Sequence, residues 1–355
     1  MRIVAFDHVG ETRAAVLDGE RAVELHLERW SERGKRAIRG EVYRARVTKV
    51  DNGLNGAFCE LGRGPAGFLP FGKAGRPDGL HEGAALGVQI QREAFQEKGP
   101  TLALFEVEPG DAPQVVVPSP PLAERLSMMV DAPVRTPKEA EIDLDALFED
   151  ALDPVVPLPG GGKLVIEPVT ALTAIDVDAG ARSTPGGAGK LAIELNKSAA
   201  REAARQIRLR GIGGVVAIDF LPLKKRADQA ALDQAIRGAF RNDPAKVDIA
   251  PASRFAIVEL ARQRIGRGLH EICWERFGVE TVETAALAAL RALEREGAAN
   301  RAARQIILRA GSEVHAWLDA DPIGWRKAMK ARLGERFVLE LDSVTGPRAF
   351  AAHAS

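Results

Sequence analysis

The chain has 355 residues, 46% of them apolar and 28% charged, with 49 basic and 49 acidic side chains and a formal net charge of zero. These values exclude a disordered chain and a blanket polycation, and the length predicts two to three domains of a soluble globular protein. No apolar run approaches the roughly 20 residues of a membrane helix. The two cysteines, Cys59 and Cys273, stand far apart and outside any Cys-x-x-Cys pair, so neither a disulfide framework nor a structural zinc is expected. The N-terminal MRIVAFDHVGETR lacks a basic-then-apolar signal pattern, and a cytoplasmic location is expected.

The charge is segregated along the chain. The charged residues of the segment Glu139 to Asp153 are all acidic, and Arg201 to Arg267 is rich in Arg and Lys. Phosphate binding needs one basic face rather than a basic total.

In chain order, residues 2–30 alternate short apolar strands with turns (RIVAFDHV, RAAVLDG, RAVELHLE), and a basic hinge follows at Arg33 to Arg39. Residues 40–106 are strand-like: GEVYRARVTKV, GAFCELG, AGFLP, ALGVQIQREAF and PTLALFEVE, broken by Gly and Pro. Five close-spaced strands predict a small barrel of the OB type; a plain β-meander fits the spacing as well. Residues 109–137 are proline-rich and read as a linker or reduced subdomain, and 138–152 as an acidic amphipathic helix.

An α/β signal begins after PGGG at 159–162. KLVIEPV and LTAIDVDAG read as a hairpin, Lys190 to Arg210 as a long helix ended by Gly211, and GGVVAIDFL as a buried strand. A helix over about 227–241, a strand at KVDIA and an apolar helix around 257–265 complete this layer. Residues 281–355 read as a small α+β unit containing a helix over 281–296, EVHAWL, a short helix, RFVLELD and RAFAAH.

Asp176 and Asp178 lie two apart on a predicted strand and so share one face. Asp219 closes the next apolar strand, and functional groups in α/β sheets gather at such carboxyl ends. Each Asp read singly caps a loop or pairs with an arginine. Read as a set beside basic helices, they favour a divalent cation such as Mg²⁺, with Mn²⁺ as a substitute.

At these residues the sequence resembles a known family. ALTAIDVDAGARSTPGG, ARQIRLRGIGGVVAIDFL and SRFAIVELARQRI, in that order, resemble the catalytic core of the bacterial ribonuclease E/G family. GEVYRARVTKV, AFCELG and GFLP resemble that family's inserted RNA-binding barrel. The resemblance implies an α/β chain: N-terminal strands (1–36) and a core (141–279) forming an RNase-H-like catalytic domain, an inserted OB-type barrel (37–108), a reduced 5′-sensor-like region (109–140) and a small α+β domain (280–355).

Carried over by position, Asp176 and Asp219 match the Mg²⁺-binding aspartates, and Asp178 stands where the family usually has an Asn that supports the metal-bound water. Lys246, by itself a solvated surface lysine, falls where the family often has an Arg near the site, which implies contact with the scissile phosphate. Phe58 and Phe68 match aromatics that pack on RNA bases, beside the basic Lys98; without the resemblance both rings read as barrel core. Val-Arg-Thr at 134–136 matches the motif whose Arg and Thr hold an RNA 5′-monophosphate, here Arg135 and Thr136. A loop role fits the pair nearly as well, because the sensor region around it is mostly missing.

Where the family's zinc-link has two cysteines, HEICWERFG has Cys273 alone, so a zinc-bridged dimer is not expected and the oligomeric state is open. The resemblance implies a metal-dependent endoribonuclease acting on single-stranded messenger or ribosomal precursor RNA, with 5′-phosphate and 3′-hydroxyl products. A non-catalytic RNA-binding relative and a DNA nuclease are the alternatives.

Overall fold

The three N-terminal strands form as read: β1 (Arg2–His8), β2 (Glu11–Asp18) and β3 (Arg21–Arg29), an antiparallel meander. This is seen in a computed structural model that describes residues 1–95, 98–180, 187–275, 278–344 and 346–355. The segment ARSTPG at 181–186, part of the resemblance, lies outside the described residues, as do Arg276 and Phe277 of HEICWERFG.

The barrel follows. β4 (Val42–Asp51), β5 (Gly56–Glu60), β6 (Gly67–Pro70), β7 (Ala85–Arg92) and β8 (Thr101–Leu104) pair in the order β5-β6-β8-β7-β4, and β4 also pairs with β5. That last pairing closes the sheet and removes its edges, as an OB-type barrel requires. Tyr43, Ala45, Val47, Ala57, Cys59, Leu69, Val88, Ile90 and Leu102 fill its interior.

The proline-rich stretch holds more order than a linker. β9 (Gln114–Val117) pairs with β4, and α1 (Leu122–Val130) and β10 (Val134–Arg135) follow. The acidic helix read over 138–152 is two pieces, α2 (Pro137–Ala140) and α3 (Leu144–Leu152). Glu141 ends the first in the left-handed region at φ 55°, and the Asp143 carboxylate accepts the Ala146 N–H at the start of the second.

The α/β layer comprises β11 (Val155–Pro157), β12 (Lys163–Pro168), β13 (Thr173–Asp178), α4 (Gly187–Leu209), β14 (Gly214–Asp219), α5 (Arg226–Ala239), β15 (Val247–Ile249) and β16 (Ile257–Arg262). Its sheet runs β11-β12-β13-β14-β16-β15. The helix expected around 257–265 is thus a strand. Val258, Leu260 and Arg262 are buried while Glu259 and Ala261 are exposed, a period of two that the apolar count alone does not separate from a helical face.

The rest comprises α6 (Leu269–Cys273), α7 (Val282–Ala299), β17 (Ile306–Ala310), α8 (Ser312–Ala320), α9 (Trp325–Leu333), β18 (Phe337–Leu341) and β19 (Phe350–Ala354), with sheet order β18-β17-β19. EVHAWL lies within α8.

The chain divides into two compact units: Met1–Ser31 with Ala132–Leu152 and Leu269–Ser355, and Glu32–Asp131 with Asp153–Gly268. Residues 1–31 and the α/β layer thus fall in different compact units. β1 pairs with β10 and β2, in a sheet β10-β1-β2-β3 that shares no strand with the sheet of Asp176 and Asp219. The barrel and the α/β layer share a unit. Among the described residues, no helix is long and apolar enough to cross a membrane.

Candidate functional site

Alternation along β13 decides which side chains become available. Thr173, Ile175 and Val177 are buried in the core shared with Leu195, Ala199, Ala203 and Ile207 of α4. Ala174, Asp176 and Asp178 consequently point to the other face. β14 repeats the pattern: Val216 and Ile218 are buried, and Asp219 is exposed.

Register then brings the two acids together. β13 and β14 are parallel, and Asp176 lies opposite Asp219. Asp176 also faces Val165 of β12, and Asp219 faces Ile257 of β16. Asp178, one pleat further, faces Lys163; their side chains approach to 3.4 Å.

The close of β14 is held from beneath. The fully buried Asn196 of α4 accepts the Leu221 N–H at 3.0 Å and donates to the Leu221 carbonyl at 2.8 Å. This two-way clamp fixes the chain two residues after Asp219. The turn before β12 has Gly162 at φ 80°, where a Cβ would lie 2.7 Å from the Asp178 carbonyl oxygen. Glycine is required there on both counts.

The electrostatics follow from the geometry. Partial withdrawal from water, with the negative charges of Asp219 and Asp178 added, holds the Asp176 carboxyl above the usual carboxylate range. Asp178 is held below it by the Gly180 N–H, which donates to its Oδ1 at 2.8 Å, and by Lys163. Among the described residues, neither Asp176 nor Asp219 has a cation within ion-pair distance, and no cluster of three or more His, Cys, Asp or Glu has metal-binding geometry. The arrangement is a pair of adjacent outward carboxylates with a third acid beside it.

Lys246 is elsewhere. It immediately precedes β15, and its carbonyl accepts the Gln263 N–H at 2.8 Å, at the end of the sheet where Gly214 faces Arg262. From Ile257, opposite Asp219, to Gln263 is six residues of extended chain, roughly 20 Å. Its ammonium lies 3.4 Å from Asp248 instead. Basic character near the motif in sequence is no guide to which end of the sheet a residue occupies.

On the barrel, the predicted aromatics meet. Phe58 of β5 lies directly opposite Phe68 of β6, with ring centroids 5.3 Å apart, and both are half-buried. A Cβ on Gly56 would lie 2.3 Å from the Phe68 ring, so a glycine is needed beneath it. The Phe68 N–H donates to the Pro100 carbonyl at 2.8 Å, which brings the loop carrying the exposed Lys98 alongside the backbone of β6. Lys98 bridges to Phe95, and the Arg264 guanidinium carbon sits 3.8 Å from the Phe95 ring centroid, joining this loop to the α/β layer.

Arg135 is exposed in β10. Thr136 caps α2: its hydroxyl accepts the Glu139 N–H at 3.3 Å, and the Glu139 carboxylate accepts the Thr136 N–H at 2.8 Å. Cys273 is buried, and burial pushes its thiol up; burial raises the Cys59 thiol to about 11.

Three features escaped the sequence reading. Lys163 precedes Asp178 by fifteen residues and only the hairpin register pairs them. Glu259 shares the exposed face of β16. Arg254 and Phe255 lie in the turn that leads into β16.

Residues 119–265 match the sequence model of the ribonuclease E/G family. The chain is similar to Ribonuclease E of Escherichia coli strain K12, 26% identical over 423 residues that cover 81% of this chain and 39% of that protein. Ribonuclease E of Haemophilus influenzae is 27% identical over 422 residues, covering 81% of this chain and 45% of the relative. Ribonuclease E of Nostoc sp. strain PCC 7120 is 38% identical over 138 residues, 39% of this chain and 20% of the relative. The chain thus covers 39% and 45% of the length of the first two relatives. The 423-residue alignment is longer than the 355-residue chain, so that relative carries internal segments absent here.

Proposed function

We infer that this chain, a member of the ribonuclease E/G family, is an endoribonuclease that cleaves single-stranded RNA at Asp176 and Asp219. The observation that carries this reading is their position side by side on adjacent parallel strands, on the exposed face, with no cation within ion-pair distance of either among the described residues. Two oxygen-donor carboxylates side by side, the charge of Asp176 disfavoured by burial and by Asp219, suit a hard divalent ion, and they would hold Mg²⁺ or, as a substitute, Mn²⁺. When bound, such an ion polarises a phosphoryl oxygen and makes a bound water more acidic.

The remaining work belongs to the chain's own side chains. Phe58 and Phe68 offer a stacking surface for bases, and Lys98 a cation for the backbone between them. Asp178 supplies a further acceptor on the face of Asp176, where the family usually has Asn. Arg135 offers a guanidinium fork and Thr136 a hydroxyl proton to an RNA 5′-monophosphate. Hydrolysis with departure of the 3′ oxygen leaves a 5′-phosphate downstream and a 3′-hydroxyl upstream. Messenger and ribosomal precursor RNA in the cytoplasm are the substrates this reading assigns.

The test is a Mg²⁺ titration on an end-labelled single-stranded RNA, with a matched DNA strand as competitor. Cleavage that vanishes with chelator and in Asp219→Ala is the expected result. Intact RNA with tight, salt-sensitive binding would replace the enzyme by an RNA-binding module. Equal cleavage of the DNA would remove the RNA assignment.

A further inference from the structure

β14 ends at Asp219, and its partner in register is Ile257, the first residue of β16. The two strands are antiparallel, so whatever precedes Ile257 emerges beside Asp219, on the side away from Asp176. What precedes it is a tight turn, Ser253–Ala256. The Ala256 N–H donates to the Ser253 carbonyl at 2.9 Å, and the Ser253 N–H to the Ile257 carbonyl at 2.8 Å. The Ser253 hydroxyl oxygen accepts the N–H groups of Phe255 at 3.2 Å and Ile257 at 3.3 Å. The Ala256 carbonyl accepts the Phe220 N–H at 3.2 Å, tying the turn to the residue next to Asp219.

This turn holds a costly conformation to present two side chains to water. Ala256 is buried at φ 66°, a left-handed geometry unfavourable for any residue with a Cβ. At the tip, Phe255 is 64% exposed, more than the exposed rings Phe105 at 45% and Phe6 at 39%. The Arg254 guanidinium carbon stands 4.6 Å from the Phe255 ring centroid. Among the described residues, Arg254 has no ion pair or hydrogen bond, so its plane is free to lie against a ring. A rigidly held, exposed aromatic with a stacked guanidinium is a platform for a flat partner.

We propose that Arg254 and Phe255 form a stacking clamp for the base of a nucleotide flanking the scissile phosphate of a single strand. The proposal rests on the reading of Asp176 and Asp219 as the phosphodiester site. It assigns the turn a substrate-positioning role separate from the Phe58–Phe68 surface on the barrel. Stacking on Phe255 accepts any base, since every base has a π-face, and requires that the base be unpaired and splayed out.

The test uses the full chain in chelator, so that binding is read without cleavage. Single-stranded oligonucleotides carry 2-aminopurine at successive positions, and stacking quenches its emission. One position is expected to be quenched in wild type, released in Phe255→Ala and Phe255→Leu, and quenched again in Phe255→Trp. At that position Phe255→Ala weakens binding about five- to a hundredfold. The loss disappears when the strand is abasic there. Quenching that is unchanged by Phe255→Ala, or an equal loss on intact and abasic strands, overturns the clamp. Cleavage that survives Asp219→Ala would overturn the underlying reading instead, and the chelated binding assay does not depend on it. Phe255 is solvent-exposed, and a thermal melt matching wild type verifies that the variants are folded.

Discussion

Carboxylates occupy the sheets of both units, and they meet opposite fates. In the unit of β1–β3, Glu11 of β2 is 1% exposed and accepts from Arg13 at 2.7 Å and from Arg291 of α7. Asp145 of α3 joins the same network, 3.0 Å from Arg13 and 3.2 Å from Arg291. Burial alone would raise the Glu11 carboxyl, but the guanidiniums of Arg13, Arg291 and Arg29 outweigh it and hold it below its ordinary value. In the other unit, Asp176 and Asp219 lie exposed beside each other, and Asp176 is raised. One set of acids is neutralised inside the protein and acts as structure. The other is left uncompensated and available to a cation from solution. The difference teaches what to look for in a strand-borne acid: one with no ion-pair partner inside the protein is a candidate for a cation from solution.

The comparison breaks most sharply at Asp219. Asp219→Asn is expected to lower kcat/KM for RNA cleavage on the order of a thousandfold, a loss of the size found when a main transition-state charge contact is removed. The same variant leaves the melting temperature unchanged or slightly raised, because it relieves repulsion with Asp176. A clear fall in melting temperature would make Asp219 a structural acid like Glu11.

Glu11→Gln is the converse. It strips the buried guanidiniums of a charge partner and is expected to destabilise its unit by about 3–5 kcal/mol in urea denaturation. The sign with pH follows from the lowered carboxyl. Glu11 contributes its full stability above pH 4.5, its unfolded value, and loses it as pH falls through the lower folded value. An acid titration of wild type should therefore show this unit losing stability below that pH, and Glu11→Gln should blunt the loss.

Smaller effects separate the barrel's two kinds of contact. Phe68→Ala should weaken RNA binding by about 1–3 kcal/mol with an unchanged salt slope. Lys98→Ala should weaken it less and flatten the slope by about one ion. Identical salt slopes in both variants would remove the assignment of Lys98 to phosphate.

The smallest effect concerns Arg135. On 5′-monophosphate and 5′-hydroxyl RNA, a preference of about two- to fivefold for the monophosphate is expected, the worth of one exposed charge pair. Arg135→Ala should erase it. Equal rates in all four combinations would end the 5′-sensing role and leave the catalytic one intact.

Much of this was legible from residue order. The barrel strands, the β12–β13 hairpin, α4 and α5 all follow from apolar periodicity and from Gly and Pro punctuation. The misread strand β16 and the broken acidic helix over 138–152 mark where local patterns are ambiguous. In the first, six residues fit both periods; in the second, a left-handed Glu141 interrupts an otherwise continuous helical face. Lys246 was placed by the family resemblance, whereas β15 begins at the end of the sheet away from Asp219.

By itself the sequence determined the strands that carry the acids and the face each acid takes, because alternation is a property of the local backbone. The tertiary structure alone decided which acids meet and which are answered. Register set Asp176 against Asp219, and Lys163 against Asp178. Arg291, 280 residues along the chain from Glu11, answered that buried charge. The turn carrying Arg254 and Phe255 came to lie beside Asp219 because β16 runs antiparallel to β14. Pairing between distant strands is fixed by the burial of whole faces, and no local window of sequence contains that information.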